Sequence, residues 1–279
     1  MIRSVKKIFC IFLLCLIAIV IPKHSAISTH VGQLIAQNTV NTILLDAGHG
    51  GVDSGASSRC GIVEKDINLA IALELQRLAE ADGWRVVMTR TEDKMLGDGK
   101  GSIRSRKTQD LRARKEIIDR ELPLVAVSIH LNSFREDPNV RGAQVFYPAG
   151  PGDEGVLEKS KMLAEAIQGE LESGIDDGKE RTALSKSGVM ILNNPKAPTV
   201  IVECGFLSNR EEARKLADRE YQLKLAALIY NGIMRYIRET NEQGVEIVYS
   251  GNSFSEVEIS SEQPVDKDAS IKGVNVEKH

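Results

Sequence analysis

Apolar and polar positions follow two alternating periods along the middle of the chain. Short β-branched or aliphatic runs at 42–46, 85–89, 124–130, 143–147, 189–192 and 199–203 read as strands, with longer segments of helical spacing among them. Ile67, Ile71, Leu75 and Leu78 make one apolar stripe, with Asn68, Glu74 and Arg77 off it. Segments 156–173 and 221–239 are similarly amphipathic. Ser208, followed three residues later by Glu211, reads as a capping box that opens a helix over 210–218. This order predicts an α/β fold: a single domain with a mostly parallel twisted sheet of about six strands flanked by helices. No internal repeat is visible.

The two ends depart from that pattern. Arg3, Lys6 and Lys7 precede an uncharged apolar run over 8–21, closed by Pro22 and Lys23. The run suits the core of an export signal and is short of the roughly 20 residues a spanning helix needs. Residues 1–26 therefore read as an export signal. They read equally as a retained N-terminal anchor, because His24 spoils the small-residue pattern before Ala26. A polar connector covers 27–40, the catalytic domain 41–239. From 240 to 279 the chain is rich in Ser, Glu, Asp and Lys and reads as a disordered tail, in which 245–249 is β-prone.

The balance of charge adds an exclusion. With 42% hydrophobic and 27% charged residues and a formal net charge of -3, the chain suits a globular core and gives no sign of general nucleic-acid binding. Cys10 and Cys15 lie in the export segment, so only Cys60 and Cys204 remain to the domain, which excludes a disulfide framework. Both read as small buried hydrophobes rather than nucleophiles. Arg104, Arg106, Lys107, Arg112 and Arg114 crowd one short span. That span reads either as a solvated helix face with its linker or as a loop gripping acidic groups of a polymeric substrate or partner.

Candidate chemistry gathers at strand ends. Outside the termini the only histidines are His49, in a glycine-rich turn after the first strand, and His130, closing the third. Glu203 closes the strand over 199–203, where a carboxylate would be costly to bury without a partner or a metal. All three thus reach the carboxyl edge of one sheet, where α/β proteins place ligands. Glu64 joins them at the first turn of the helix after the glycine-rich loop. Two imidazoles and a carboxylate make a catalytic zinc set with one position left for water, and Glu203 fits the companion base that relays a proton. The same donors also suit Fe(II), so the residues alone leave the metal open. Gly48, Gly50 and Gly51 permit close backbone approach, but neither a phosphate loop nor a dinucleotide fingerprint is present.

Four ordered segments, DAGHGG with His49, GIVEKDINLA with Glu64, SIHLN with His130 and VECGFLSN with Glu203, resemble the zinc-dependent N-acetylmuramoyl-L-alanine amidases. The resemblance implies one Zn2+ held by His49, Glu64 and His130, with Glu203 catalytic. It also implies that the bond cut is the amide between the lactyl group of N-acetylmuramic acid and L-alanine in peptidoglycan. Asn132, Arg104 and Arg106 are candidate substrate contacts. SIRSRKTQDLRARKEI is similar to the sporulation branch, the germination-specific amidases of spore cortex that act before muramic-δ-lactam forms; a vegetative autolysin of the same chemistry is the alternative. The short connection over 148–155 leaves no room for a long regulatory helix. Implied partners are peptidoglycan, a protein activator and a muramic-acid deacetylase of the same pathway, with a membrane reached only through an uncleaved N-terminal segment. The implied location is outside the cytoplasmic membrane, in the space between the forespore membranes.

Overall fold

A computed structural model describes residues 42–175 and 180–242. The export segment, the connector and the tail beyond 242, with its 245–249 stretch, lie outside the described residues. The chain runs β1 (Thr42–Ala47), α1 (Glu64–Ala81), β2 (Arg85–Met88), α2 (Ile103–Glu121), β3 (Val125–Asn132), β4 (Gln144–Pro148), α3 (Glu154–Ile175), β5 (Leu184–Lys186), β6 (Thr199–Phe206), α4 (Arg210–Leu216) and α5 (Arg219–Glu242). The strands form one six-stranded sheet in the order β2-β1-β3-β6-β4-β5, parallel except where β4 meets β6. The expected α/β architecture is present. No described helix is long and apolar enough to cross a membrane.

Alternation along the central strands divides the core between two faces of the sheet. Ile43 and Leu45 of β1, Val127 and Ile129 of β3, and Val200 and Val202 of β6 point into a large cluster with Ile71, Leu75, Leu163, Ile229 and Ile233 of the long helices. Leu44, Ala126 and Ile201 face the other way, onto Ile118 of α2 and onto Ile191 and Leu192. Both faces being covered is what makes the parallel strands read as near-continuous apolar runs.

Four local expectations need correction. The run over 189–192 is not a strand: Met190–Leu192 is a 3-10 turn, and its buried Ile191 and Leu192 cap the smaller cluster. A short apolar run has no period that separates a buried turn from a buried strand. The sixth strand is instead the edge segment Leu184–Lys186, paired with Phe146, Tyr147 and Pro148, too short and too exposed to carry an alternation. The cap of α4 is Asn209, whose Oδ1 accepts from the N–H groups of Glu211 and Glu212 at 3.1 and 3.0 Å. Ser208 Oγ accepts instead from the Phe134 N–H at 2.9 Å. Off the stripe of α1, Asn68 and Glu74 are buried all the same. Glu74 is neutralised by Arg77 and Arg219 at 2.6 and 3.1 Å. Finally, Cys204 is buried as expected, but Cys60 is exposed.

Candidate functional site

β1 and β3 are neighbours, and β6 lies on the far side of β3, so the three strand ends meet at one edge. Beyond β1 the chain turns sharply, with His49 in the left-handed region at φ 62°, a backbone state that costs energy and recurs at functional sites. Two glycines make room for the cluster. A Cβ on Gly48 would stand 2.3 Å from the His130 ring, and one on Gly55, itself at φ +67°, would stand 2.5 Å from Glu64 Oε2 and 2.7 Å from His49 Cδ2.

The structure brings His49, Glu64 and His130 together, with one donor atom of each inside a span of 4.8 Å. Glu64 Oε1 lies 3.2 Å from His49 Nε2 and 3.1 Å from His130 Nδ1. The rings meet edge-on, with centroids 4.9 Å apart. The carboxylate is held from behind: Oε2 accepts from the Ala56 N–H at 2.7 Å, and Oε1 accepts from the Leu131 N–H at 3.0 Å. His49 is oriented through its other nitrogen, Nδ1 lying 2.9 Å from Asp53 Oδ2, while Lys107 Nζ pairs with the second Asp53 oxygen at 2.6 Å. This is the outer support a metal-ligating histidine needs to present Nε2.

Charge in the cluster follows from these contacts. Burial works against a positive imidazole at His49, but the hydrogen bonds to Asp53 and Glu64 prevail and raise its pKa to about 9. For Glu64 and Asp53, burial works against ionisation, yet their histidine contacts, with Lys107 at Asp53, hold both carboxyls below the usual carboxylate range.

Glu203 stands in register with His130 across the β3–β6 pair. Its side chain is 13% exposed, Oε1 lies 3.8 Å from Lys186 Nζ, and Oε2 is buried with no hydrogen-bond partner among the described residues. Burial pushes its pKa above the ordinary value, against the opposing pull of His130 and Lys186. Lys186 also lies over the Phe146 ring, 4.2 Å from its centroid.

Beneath the glycine-rich turn lies a network that the strand and helix patterns did not single out. Arg114, named only within the basic run, is 1% exposed. It donates to Asp46 Oδ1, Asp110 Oδ2 and the carbonyls of Ala47 and His49 at 2.6 to 2.7 Å. Arg90, also buried, donates to the carbonyls of Ala47, Gly48 and Lys65. Asp46 accepts further from Thr89 and Ser128 at 2.7 and 2.6 Å. Burial raises the Asp46 pKa, but Arg114 and the two hydroxyls outweigh it and bring the carboxyl down to about 2.

The candidate substrate contacts are differently placed. The basic run forms α2; Arg104 is exposed on its first turn, and Arg106 is half-buried with Nε unpartnered among the described residues. Asn132, half-buried at the end of β3, accepts through Oδ1 from the Ser133 N–H at 2.8 Å. No described contact joins these three side chains to the cluster. Asp53 and Lys107, which support His49, and Lys186, which lies near Glu203, were not singled out as site residues by the sequence pattern.

Comparison with known proteins places this geometry in a family. The model for N-acetylmuramoyl-L-alanine amidase matches residues 43–235, and the chain belongs to that family. It is a hydrolase whose substrate is peptidoglycan. It is 35% identical over 201 residues to the germination-specific N-acetylmuramoyl-L-alanine amidase of Bacillus subtilis, spanning 72% of this chain and 81% of the relative. Among solved structures it is similar to the CwlD amidase of Clostridioides difficile in complex with the GerS lipoprotein, at TM-score 0.67 and 40% identity, covering 71% of this chain and 99% of that one. The amidase AmiC2 of Nostoc punctiforme matches at TM-score 0.59 and 31% identity, covering 71% and 98%.

Proposed function

We propose that this amidase uses one Zn2+ held by His49, Glu64 and His130, with Glu203 as its catalytic carboxylate, and that it acts on spore cortex. The observation that carries the reading is the convergence of two imidazole nitrogens and a carboxylate oxygen within 4.8 Å, beside the unpartnered Oε2 of Glu203. The donor set fits: three nitrogen and oxygen ligands with a position left open are what catalytic zinc takes. Zinc there would polarise the scissile carbonyl and make water a stronger nucleophile at neutral pH. Asp53 fixes His49 in the orientation that presents Nε2, and the N–H groups of Ala56 and Leu131 hold Glu64. Glu203 takes a proton from the attacking water and hands it to the leaving L-alanine nitrogen, and its burial-raised pKa suits a group that must both accept and release.

The cortex role is supported by the likeness to the germination-specific amidase. Its chemistry is coherent: muramic-δ-lactam closes between the lactyl carboxyl that this hydrolysis frees and an amine that a muramic-acid deacetylase exposes. The CwlD amidase bound to a lipoprotein supports an activating protein partner here as well. The export segment supports action outside the cytoplasmic membrane, between the forespore membranes, with anchorage through that segment if it is retained. Arg104, Arg106 and Asn132 remain the proposed glycan or peptide contacts.

The test is mass analysis of spore-type peptidoglycan digested by the zinc-loaded protein, with metal content measured in parallel. Release of stem peptides with free L-alanine amino groups, together with about one zinc per chain, is the expected result. Cleavage elsewhere, or full activity with iron alone, would overturn the reading.

A further inference from the structure

The loops that follow β1, β3 and β6 line a cavity of about 710 Å³ whose walls include Arg59, Arg141 and Arg210. An adjoining hollow of about 340 Å³ shares Arg59, Pro138, Leu207 and Ser208 with it and adds Arg135. All four arginines are exposed, and none has an ion-pair partner among the described residues. Among the described residues the one carboxylate on the cavity wall is Glu211. In a chain whose net charge is -3, this is a local excess of cation.

Its walls are built from the segments that carry the proposed machinery. Ser58 belongs to the loop whose Ala56 N–H binds Glu64. The Leu207 N–H donates at 2.9 Å to the carbonyl of Asn132, joining the stretch just after Glu203 to the stretch just after His130. Asn209 Nδ2 donates to the Pro138 carbonyl at 2.9 Å, which ties the start of α4 to the β3–β4 connection across the cavity.

We propose that this cavity is the stem-peptide subsite and that its arginines take the free carboxylates of the peptide, an inference that rests on the amidase reading of the adjacent cluster. Of the two sides of the scissile amide, the glycan is uncharged near the bond, whereas the peptide beyond L-alanine carries free carboxylates. Guanidinium forks match carboxylates in two parallel hydrogen bonds. The volume falls within the roughly 300–1,000 Å³ of small-ligand sites.

The test compares the full chain with an Arg59→Gln, Arg141→Gln, Arg210→Gln variant, whose changes are all on exposed side chains and whose fold is checked by circular dichroism. Calorimetry measures binding of L-Ala-γ-D-Glu-diaminopimelate and of its amidated counterpart; kinetics measures cleavage of muropeptides bearing each. The wild type should bind the free acid more tightly, with the difference shrinking as salt rises. The variant should bind about tenfold more weakly, with KM raised about tenfold and kcat nearly unchanged, and should no longer separate acid from amide. Stem release by both proteins with equal KM would overturn the subsite and leave the amidase reading standing. Carboxylate-dependent binding without any release would support the subsite and remove that reading.

Discussion

Asp46 and Glu203 lie in β1 and β6, the two apolar strands that flank β3, and their surroundings are opposite. Asp46 has every oxygen answered, by Arg114, Thr89 and Ser128, and its carboxyl is held down at about 2. Glu203 has one oxygen 3.8 Å from Lys186 and the other buried without a partner among the described residues, and burial pushes its pKa up. A buried carboxylate that is fully paired fixes structure, whereas one left short of partners keeps its proton affinity for chemistry. Asp46 anchors, through Arg114, the turn that presents His49; Glu203 stands in register with His130 across the β3–β6 pair.

Three experiments sharpen or break this contrast. The largest effect belongs to Glu203→Gln: amidase turnover should fall by about 10²–10⁴-fold while the melting temperature stays level or rises, since a costly buried charge is removed. A large loss of stability instead would show Glu203 to be a structural carboxylate like Asp46. Next comes Arg114→Met, which strands Asp46 and Asp110 without their cation. Denaturant unfolding should report a loss of about 3–5 kcal/mol; an unchanged midpoint would mean that the network does not hold the turn. The smallest effect is the acid limb of Asp46. Its folded pKa lies below the ordinary carboxylate value, so ionised Asp46 favours the folded state. That contribution, on the order of 2 kcal/mol, is fully present above about pH 4 and is lost as pH falls through about 2. Carboxyl titration followed by NMR should place the Asp46 midpoint near 2, and a midpoint near 4 would erase the contrast.

The same contrast shows what a sequence can and cannot disclose. Apolar runs ending in ionisable residues pointed correctly to one sheet edge, because strand period and burial are local properties. His49, Glu64 and His130 were therefore legible as a set, and the structure brings them together. Yet the cue that singled out Glu203, a carboxylate closing an apolar strand, applies equally to Asp46 in TILLDAG. What separates them is Arg114, which sits in a run that reads as a solvated helix face or as a loop gripping acidic groups, and which reaches Asp46 only through the packing of α2 on the sheet. The short strand at Leu184–Lys186 was missed for a related reason: its pairing is supplied by β4, not by its own pattern. Asn68 and Glu74 lie off the apolar stripe and are buried all the same, because burial on α1 depends on what α5 and the glycine-rich turn bring to it.

The contact between Gly48 and the His130 ring has a bearing on how such a chain can change over generations. A single methyl at residue 48 would come within 2.3 Å of that imidazole, so any other amino acid there displaces the ring unless the backbone yields. Two positions far apart in the gene are thereby fused into one heritable character. Drift at residue 48 is closed off for as long as an imidazole occupies position 130.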